Sequence, residues 1–257
     1  MANRAASKPA NEIFGVADLV IAIGADFPFA NLVYRTHPFK FVQIDADKTE
    51  FGRHHFLDLG VWSDATYFVQ KAIERSQAVA PSPFFKAAVA DKKNWQAYLD
   101  KLSNKNTDPL EFEPLYKSIN EISNDKSVFS IDVGDNIINS FRFLNIGPKN
   151  KWVISALFAS MGTGIPGAIA AKLSYPDRQV FNIAGDGAFS MVMQDLLTEK
   201  KYHLPIINII TSNKTLNFIK SEQDDLKMNH SGIDLEDQDF EMISKGMGVD
   251  AVTVSKS

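Results

Sequence analysis

The chain has 257 residues, of which 45% are hydrophobic, and a formal net charge of −4. This length and composition predict one large or two modest domains with hydrophobic cores, and the charge gives no reason to expect nucleic acid or an anionic membrane as a partner. The absence of cysteine excludes disulfides, thiolate metal sites and a cysteine nucleophile. The sequence has no secretory h-region and no run of eighteen apolar residues, so we expect a cytoplasmic protein.

The first 80 residues alternate predicted strands with loops and helices, which is typical of a parallel sheet covered by helices. Their predicted elements are strands at 18–23, 39–45 and 57–62 and a helix from Asp64 to about Arg75. Three strands are few for such a domain, so we expect residues 1–80 to be the C-terminal part of a larger domain. Pro81 and Pro83 break the pattern, and residues 81–110 predict a linker that includes an amphipathic helix.

Residues 111–257 show the same alternation and predict a second α/β domain. The predicted elements are helices at 112–122, in the later half of 158–171 and at 240–247, and strands at 128–131, 152–155, 179–184, 206–211 and 251–254. A doubly wound domain normally continues with at least one more helix, so we expect this domain to be truncated at its C-terminus.

The most informative motif is Gly185-Asp186-Gly187, which separates a predicted buried strand from a predicted helix. Glycine permits positive φ and close approach of a ligand to the backbone, and a helix N-terminus suits a phosphate. Asn213 follows the next buried strand, so Asp186 and Asn213 are expected at the carboxyl ends of neighbouring parallel strands, where such sheets bind ligands. Their oxygens, beside a phosphate, suit Mg²⁺. The alternative interpretation is a surface turn with a helix cap.

This motif resembles the metal site of thiamine-diphosphate-dependent enzymes, and the whole chain is similar to the pyruvate oxidase family of lactic acid bacteria. The passages that carry the similarity are 8–12, 43–45, 161–172, 193–196, 202–205, 218–220 and 222–223. That family has a pyrimidine-binding domain, a middle FAD-binding domain and a diphosphate-binding domain. The resemblance therefore implies an α/β fragment with parallel-sheet, three-layer domains: the C-terminal part of the middle domain, then a truncated thiamine-diphosphate-binding domain.

The resemblance also implies roles for individual residues. Mg²⁺ would be bound by the side chains of Asp186 and Asn213 and by the backbone carbonyl of Thr215. The diphosphate and the bent form of the cofactor would be held by Gly134, Asp135, Met161, Gly185, Gly187 and Ala188. The residues implied in catalysis are Val133, which would line the thiazolium, and Phe218 and Glu222, which would face the substrate. FAD would be contacted by Gly24, Asp26, Phe27, Pro28, Ile44, Asp45, Asp64 and Ala65.

Several of these residues also have a plainer interpretation. Met161 is by itself typical of a hydrophobic core, Phe218 and Glu222 also fit the start of an amphipathic helix, and the acids of the FAD set also fit strand-end caps. Asn217 stands where relatives usually carry Gly; because Asn tolerates left-handed backbone, we expect the turn there to persist.

The implied activity is the oxidation of pyruvate with phosphate and O₂ to acetyl phosphate, CO₂ and H₂O₂. Pyruvate and phosphate are the implied small-molecule partners, and the family forms homo-oligomers. Its pyrimidine-binding domain supplies, from the facing subunit, the glutamate that acts on the aminopyrimidine. Because no such domain is present here, we expect the chain alone to be inactive, with a separately encoded N-terminal part as one source of the missing glutamate.

Three other functions stay open. An acetolactate-synthase-like or quinone-dependent relative would use the same cofactor site. A catalytically inactive fragment would retain cofactor binding only. A nicotinamide-binding protein is the weakest alternative, because no Gly-x-Gly-x-x-Gly follows an early strand.

Overall fold

The structure, a computed structural model, describes residues 7–25 and 39–256. These residues divide into two compact units, the first ending at Tyr98 and the second beginning at Leu99. Each unit contains a parallel sheet together with α-helices, which confirms the predicted α/β class. Among the described residues, no helix combines the length and the apolar character that crossing a bilayer requires.

The first unit is built on a three-stranded parallel sheet in the order β1-β2-β3. Its elements are α1 (Lys8–Phe14), β1 (Leu19–Ile23), β2 (Lys40–Asp45), a 3-10 turn (Lys48–Glu50), β3 (Leu59–Trp62), α2 (Ala65–Arg75) and the larger part of α3 (Pro83–Ser103). As predicted, Asp64 caps α2, because its carboxylate accepts the N–H of Tyr67 at 3.0 Å. The core on one face contains Ala22, Phe39 and Phe41.

Strand β1, which lies at one edge of the sheet formed by the described residues, has apolar residues on both faces. Ala22 is buried in the core, whereas Leu19, Ile21 and Ile23, which alternate with the inward residues, are exposed. Because successive side chains of a strand point to opposite faces, these three form a single apolar row, here called the β1 row.

The second unit is built on a four-stranded parallel sheet in the order β5-β4-β6-β7. Its helices and strands after α3 are α4 (Phe112–Ile122), β4 (Val128–Ile131), α5 (Asp135–Phe143), β5 (Lys151–Ile154), α6 (Gly164–Ser174), β6 (Val180–Gly185), α7 (Asp186–Ser190), α8 (Leu196–Lys201), β7 (Ile206–Thr211), α9 (Asn217–Asp225) and α10 (Phe240–Gly246). All four residues of β4 are buried, and so are the first five of β6.

Helix α6 approaches the sheet closely because its residues are small. A Cβ at Gly167 would lie 2.5 Å from Ser130 Oγ and 2.8 Å from Val153 Cγ1, so only glycine fits at this point of contact. The turn before α6 is thereby held against the carboxyl ends of the strands, where the candidate site lies.

Two predicted elements differ from the structure. The helix expected after Gly187 is broken into α7, a 3-10 turn (Met193–Asp195) and α8. The strand expected at 251–254 is wrong: these residues are irregular and pair with no strand of the described residues. The N–H of Thr253 donates instead to the Glu241 carboxylate at 2.8 Å, and Val252 and Val254 are exposed.

Candidate functional site

The predicted neighbours Asp186 and Asn213 lie together at the ends of β6 and β7. Gly185 and Thr211 are cross-strand partners, and Asp186 is the first residue of α7. Its Oδ2 accepts the N–H groups of Asn213 at 3.0 Å and of Lys214 at 2.7 Å. Its Oδ1 accepts the N–H of Gly187 at 2.8 Å, and the residue is only 7% exposed. The carboxylate therefore fastens the loop after β7 to the end of β6.

That loop is also closed by its own hydrogen bonds. Asn213 Oδ1 accepts the N–H of Thr215 at 3.1 Å, and the Thr215 carbonyl accepts the N–H of Asn217 at 2.9 Å. Lys214, between the first two, has a left-handed backbone with φ of 57°. The three residues predicted to bind a metal thus lie next to one another, with Asn213 and Thr215 in a loop fastened to Asp186.

A second turn, at the end of β4, is organised by Asp132, which sequence reasoning missed. Asp132 is 1% exposed; Oδ1 accepts the N–H groups of Val133 at 2.8 Å and Gly162 at 3.0 Å, and Oδ2 accepts that of Gly164 at 2.8 Å. Burial raises the pKa of this carboxyl, and the N–H donors oppose that effect. Asp132 therefore ties the turn that contains Met161 to the end of β4.

Gly134 follows Asp132 and Val133 and precedes α5. Its φ is 126°, and a Cβ there would have no atom within 4 Å, so the space before the helix is open. Asp135, the first residue of α5, accepts a hydrogen bond from Asn217 Nδ2, which joins the starts of α5 and α9. Asn217 itself is the first residue of α9 in right-handed conformation, so the left-handed turn expected at this position is not found; Lys214 has it instead.

Met161 and Gly187 bring the remaining loops together. A Cβ at Gly187 would lie 3.1 Å from Leu216 Cδ2 and 3.3 Å from Met161 Cε. Glycine at this position therefore lets the Met161 tip and the loop after β7 pack onto the Gly-Asp-Gly turn, beside the buried Ala188.

The three residues predicted to take part in catalysis are half-buried. Val133 lies in the turn after β4, and Phe218 and Glu222 are one helical turn apart on α9. Residues four apart share a face of a helix, so Phe218 and Glu222 present a common surface next to the junction of α5 and α9.

A buried hydrogen-bond cluster around Tyr116 lies next to the site. The sequence patterns did not predict it. The Tyr116 hydroxyl contacts the Asn136 carbonyl oxygen at 3.1 Å and Ser140 Oγ at 3.0 Å, and Asn136 Nδ2 donates to Thr211 Oγ1 at 3.0 Å. Burial raises the pKa of Tyr116 well above its usual value. The cluster links the start of α5 to the end of β7.

The predicted FAD residues of the described part lie at the carboxyl ends of the strands of the first unit. Gly24 has φ of 55°, its N–H donates to the Ile44 carbonyl at 2.8 Å, and a Cβ there would lie 3.8 Å from Ala65 Cβ. Asp45 accepts the N–H of Asp47, and Asp64 caps α2. The Ile44 side chain is fully buried, so only the backbone of this residue could contact a ligand. Predicted residues outside the described residues are Asp26, Phe27 and Pro28.

Comparison with known proteins connects this site to a cofactor. The profile of the C-terminal TPP-binding domain of thiamine pyrophosphate enzymes matches residues 132–257, and the profile of their central domain matches residues 1–72. Thiamine pyrophosphate (TPP) is thiamine diphosphate under another name. The first match begins at Asp132 and includes the Asp186 and Asn213 loops.

The similar proteins include a pyruvate oxidase. The chain is 43% identical to pyruvate oxidase of Lactiplantibacillus plantarum over 99% of its length. It is 31% identical, over 98%, to YdaP of Bacillus subtilis, which is described as thiamine pyrophosphate-containing. It is 27% identical, over 84%, to an acetolactate synthase large subunit of Buchnera aphidicola.

The chain spans 43%, 43% and 38% of the length of these three proteins. Its two compact units follow the order of the two matched domains, the central one first. The chain therefore belongs to the thiamine pyrophosphate enzymes, with sequence from their central domain followed by sequence from their TPP-binding domain.

Proposed function

We propose that this chain is part of a pyruvate oxidase that uses thiamine diphosphate, Mg²⁺ and FAD to convert pyruvate, phosphate and O₂ into acetyl phosphate, CO₂ and H₂O₂. The observation that carries the proposal is the Asp186 carboxylate, which is fastened to the loop beginning at Asn213 at the ends of two adjacent parallel strands. The similarity to a pyruvate oxidase over 99% of the chain supports this choice of reaction.

Mg²⁺ would take one oxygen each from Asp186, Asn213 and Thr215. Each of these oxygens accepts a backbone N–H, and carboxylate and carbonyl oxygens have a further lone pair for a cation. Within the described residues, no group of three or more His, Asp and Glu side chains has metal-binding geometry. The remaining ligands of an octahedral Mg²⁺ would therefore come from the diphosphate and water.

The diphosphate would lie between the two glycine turns. The open space at Gly134 precedes α5, a nine-residue helix, and the positive end of its dipole favours a phosphate. Ala188 would offer its N–H group to the diphosphate, and Gly187 would do so after its N–H turns away from Asp186 Oδ1, to which it donates at 2.8 Å. Gly185 meets the Asn136 side chain at ordinary contact distance, with 3.8 Å from its Cβ position to Asn136 Nδ2.

Thiamine diphosphate, when bound, supplies an electron sink for decarboxylation. The protein contributes position and environment. Met161, whose tip packs against Gly187, would support the bent cofactor with an apolar surface. Val133 would exclude water beside the thiazolium. Phe218 would form an apolar wall, and Glu222, on the same face of α9, would bind polar groups of the substrate.

FAD would be bound by the first unit. The backbone of Gly24 and Ile44 and the side chains of Asp45 and Asp64 stand at the carboxyl ends of its strands, where open parallel sheets bind nucleotides. Ala65, at the start of α2, packs near Gly24, and its small side chain would let the flavin nucleotide approach the backbone there.

An acetolactate-synthase-like reaction is the second candidate, because acetolactate synthase large subunits are also similar to the chain. Two of them are 27% and 26% identical to it. Both reactions would use the same metal and diphosphate residues. They differ in the steps after decarboxylation, so the product identifies the reaction: acetyl phosphate and H₂O₂ for the oxidase, acetolactate for the synthase.

The proposal is tested first by binding. Isothermal titration of the purified chain with thiamine diphosphate should give heat in the presence of Mg²⁺ and none in EDTA, and flavin absorbance should remain with the protein after gel filtration with FAD. Cofactor binding that is equal with Mg²⁺ and with EDTA would contradict the metal assignment. Metal-dependent binding without any flavin would favour the inactive or synthase-like alternatives.

A further inference from the structure

A row of polar side chains, buried except for the half-buried Asn208, crosses the sheet of the second unit. Ser130 on β4 is the cross-strand partner of Asn182 on β6, which is the partner of Asn208 on β7. Glu199 of α8 stands at the end of this row. Ser130 and Asn182 are fully buried, and Glu199 is 5% exposed. Polar groups this deep in apolar strands require hydrogen-bond partners.

The hydrogen bonds of the row leave two oxygens unsatisfied. Asn182 Nδ2 lies 2.8 Å from Asn208 Oδ1, and Asn208 Nδ2 lies 2.8 Å from Glu199 Oε2. With these assignments, Asn182 Oδ1 and Glu199 Oε1 are buried and lack a partner in the structure. An ionised Glu199 can only accept hydrogen bonds. Asn208 must therefore donate its N–H to Glu199, and Asn182 must donate its N–H to Asn208.

The unsatisfied Asn182 oxygen and an oxygen of Asp132 both lie close to Gly164. A Cβ built on Gly164 would clash with Asn182 Oδ1 and would lie 2.9 Å from Asp132 Oδ2, so both oxygens border the same small space. In this assignment Asn182 Oδ1 receives no N–H or O–H donor. A buried acceptor that has no donor and a carboxylate oxygen as a neighbour is unfavourable.

A proton on Glu199 removes this conflict. The oxygen and nitrogen of a side-chain amide occupy equivalent positions, and the available donors decide which is which. A protonated Glu199 donates to Asn208 Oδ1 once that amide is turned over. Asn208 Nδ2 then donates to Asn182 Oδ1, and Asn182 Nδ2 points at Asp132. The two 2.8 Å contacts are unchanged.

We propose that Glu199 carries a proton in the folded protein on the acidic side of neutral pH and in that form acts as a positioning residue, directing the amides of Asn208 and Asn182 toward Asp132. Asp132 already holds the N–H groups of Gly162 and Gly164, so the amide of Asn182 adds a side-chain donor to the carboxylate that fixes the Met161 turn. The inference concerns groups beneath the candidate site and is independent of which cofactor binds there.

The surroundings of Glu199 favour the neutral form. Burial, aided by the negative charge of Asp195, raises the pKa of Glu199 to about 7. The neighbouring Lys200 ammonium is directed to the Met247 carbonyl at 3.4 Å, and the acid and base of α10, Glu241 and Lys245, pair with each other.

The decisive experiment is a pH titration by NMR of the Gly162 and Gly164 amide signals in the full chain. We expect both signals to move in the wild type with a midpoint near pH 7 and to lose this transition in Glu199→Gln, whose amide is a permanent N–H donor. The control is Glu241→Gln, since the pKa of Glu241 is lowered to about 2 by its bonds to Lys245 and Thr253; it should keep the wild-type transition. An unchanged transition in Glu199→Gln would overturn the proposal.

Thermal unfolding supplies a second readout. The folded pKa of Glu199 is raised, so its proton stabilises the protein fully below the unfolded value of 4.5, and this contribution is lost as pH rises toward about 7. Wild-type Tm should therefore fall between about pH 5 and pH 8 relative to Glu199→Gln, by about 5 °C. Glu199→Ala, which leaves Asn208 without a donor, should lower Tm at every pH. A Glu199→Gln protein that fails to fold, or that is as unstable as Glu199→Ala, would contradict the proposal.

Discussion

Asp186 and Asn213 meet through the main chain: Asp186 Oδ2 accepts the backbone N–H of Asn213 at 3.0 Å, while Asn213 Oδ1 is turned to the N–H of Thr215. The oxygens proposed to bind Mg²⁺ are thus held by backbone N–H groups before any metal arrives. Ligands fixed in this way lose little conformational freedom on binding, so the loop is preorganised for a cation.

The first prediction concerns the metal. Asp186→Ala should weaken Mg²⁺-dependent binding of thiamine diphosphate by at least about 100-fold in Kd, because it removes the carboxylate ligand and the anchor of the Asn213 loop. Calorimetric titration gives the Kd, and far-UV circular dichroism should still show a folded protein. The matched control is Asp237→Ala, which removes an exposed carboxylate paired with Lys214. Equal affinities in all three proteins would exclude Asp186 as a ligand.

The second prediction is that the purified 257-residue chain, supplied with thiamine diphosphate, Mg²⁺, FAD, phosphate and pyruvate, produces no H₂O₂. In the family that the chain resembles, the glutamate that acts on the aminopyrimidine lies on a further domain of the facing subunit. Positioned acid–base catalysis contributes about 10²–10⁴-fold, and in that family the further domain also forms one wall of the pocket and so contributes to orientation. Steady peroxide production, measured by a coupled peroxidase assay, would show that an acid within this chain does that work.

The third prediction concerns the contact of α6 with the sheet. Gly167→Ala should destabilise the second unit by about 1–3 kcal/mol, because its Cβ would overlap Ser130 Oγ and Val153 Cγ1. Gly246→Ala is the control, since no atom lies within 4 Å of its Cβ position at the end of α10. Urea unfolding should show the loss for Gly167→Ala and little change, or a gain, for Gly246→Ala. Equal stability of the two variants would mean that α6 lies farther from the sheet.

The fourth prediction concerns the cluster beneath the site. Tyr116→Phe should cost about 1–2 kcal/mol, because it leaves buried acceptors of Asn136 and Ser140 without the hydroxyl. The exposed Tyr98→Phe is the control and should leave stability unchanged. The measurement is the free energy of unfolding from urea titration. If Tyr116→Phe leaves this free energy unchanged, water or another side chain replaces the hydroxyl.

The fifth prediction concerns the β1 row. Because Leu19, Ile21 and Ile23 form an exposed apolar surface on an edge strand, we expect the chain to associate in solution. Light scattering should report particles larger than a monomer, and Ile21→Lys should reduce their mass. Val252→Lys, at an exposed position outside the sheets, should not. A monodisperse monomer of the wild type would contradict this expectation.

Local sequence patterns predict most of the strands and the pairing of Asp186 with Asn213, because buried parallel strands are apolar runs and their carboxyl ends meet at one edge. Contacts between distant segments are not encoded locally. Nothing near Asp132 indicates that its carboxylate binds the N–H groups of Gly162 and Gly164, and nothing near Glu199 indicates burial beside Asn208. The strand predicted at 251–254 fails for the same reason: its apolar residues suit a strand, but no described neighbour is there to pair with it.

The polar row has a consequence for how β6 and β7 find their alignment. Apart from Asn182 and Asn208, these strands consist largely of Val, Ile, Phe and Ala, and a displacement by two residues would keep the same side chains facing the same layer. Such a displacement would set each asparagine against an isoleucine, a valine or an alanine, and the buried Asn182 amide would lose its partner at a cost of about 1–3 kcal/mol. The asparagine pair therefore specifies the register of the two strands. Burial of the apolar residues drives the strands together, and the hydrogen bond between the amides favours the pairing in which the Gly-Asp-Gly turn lies beside Thr211.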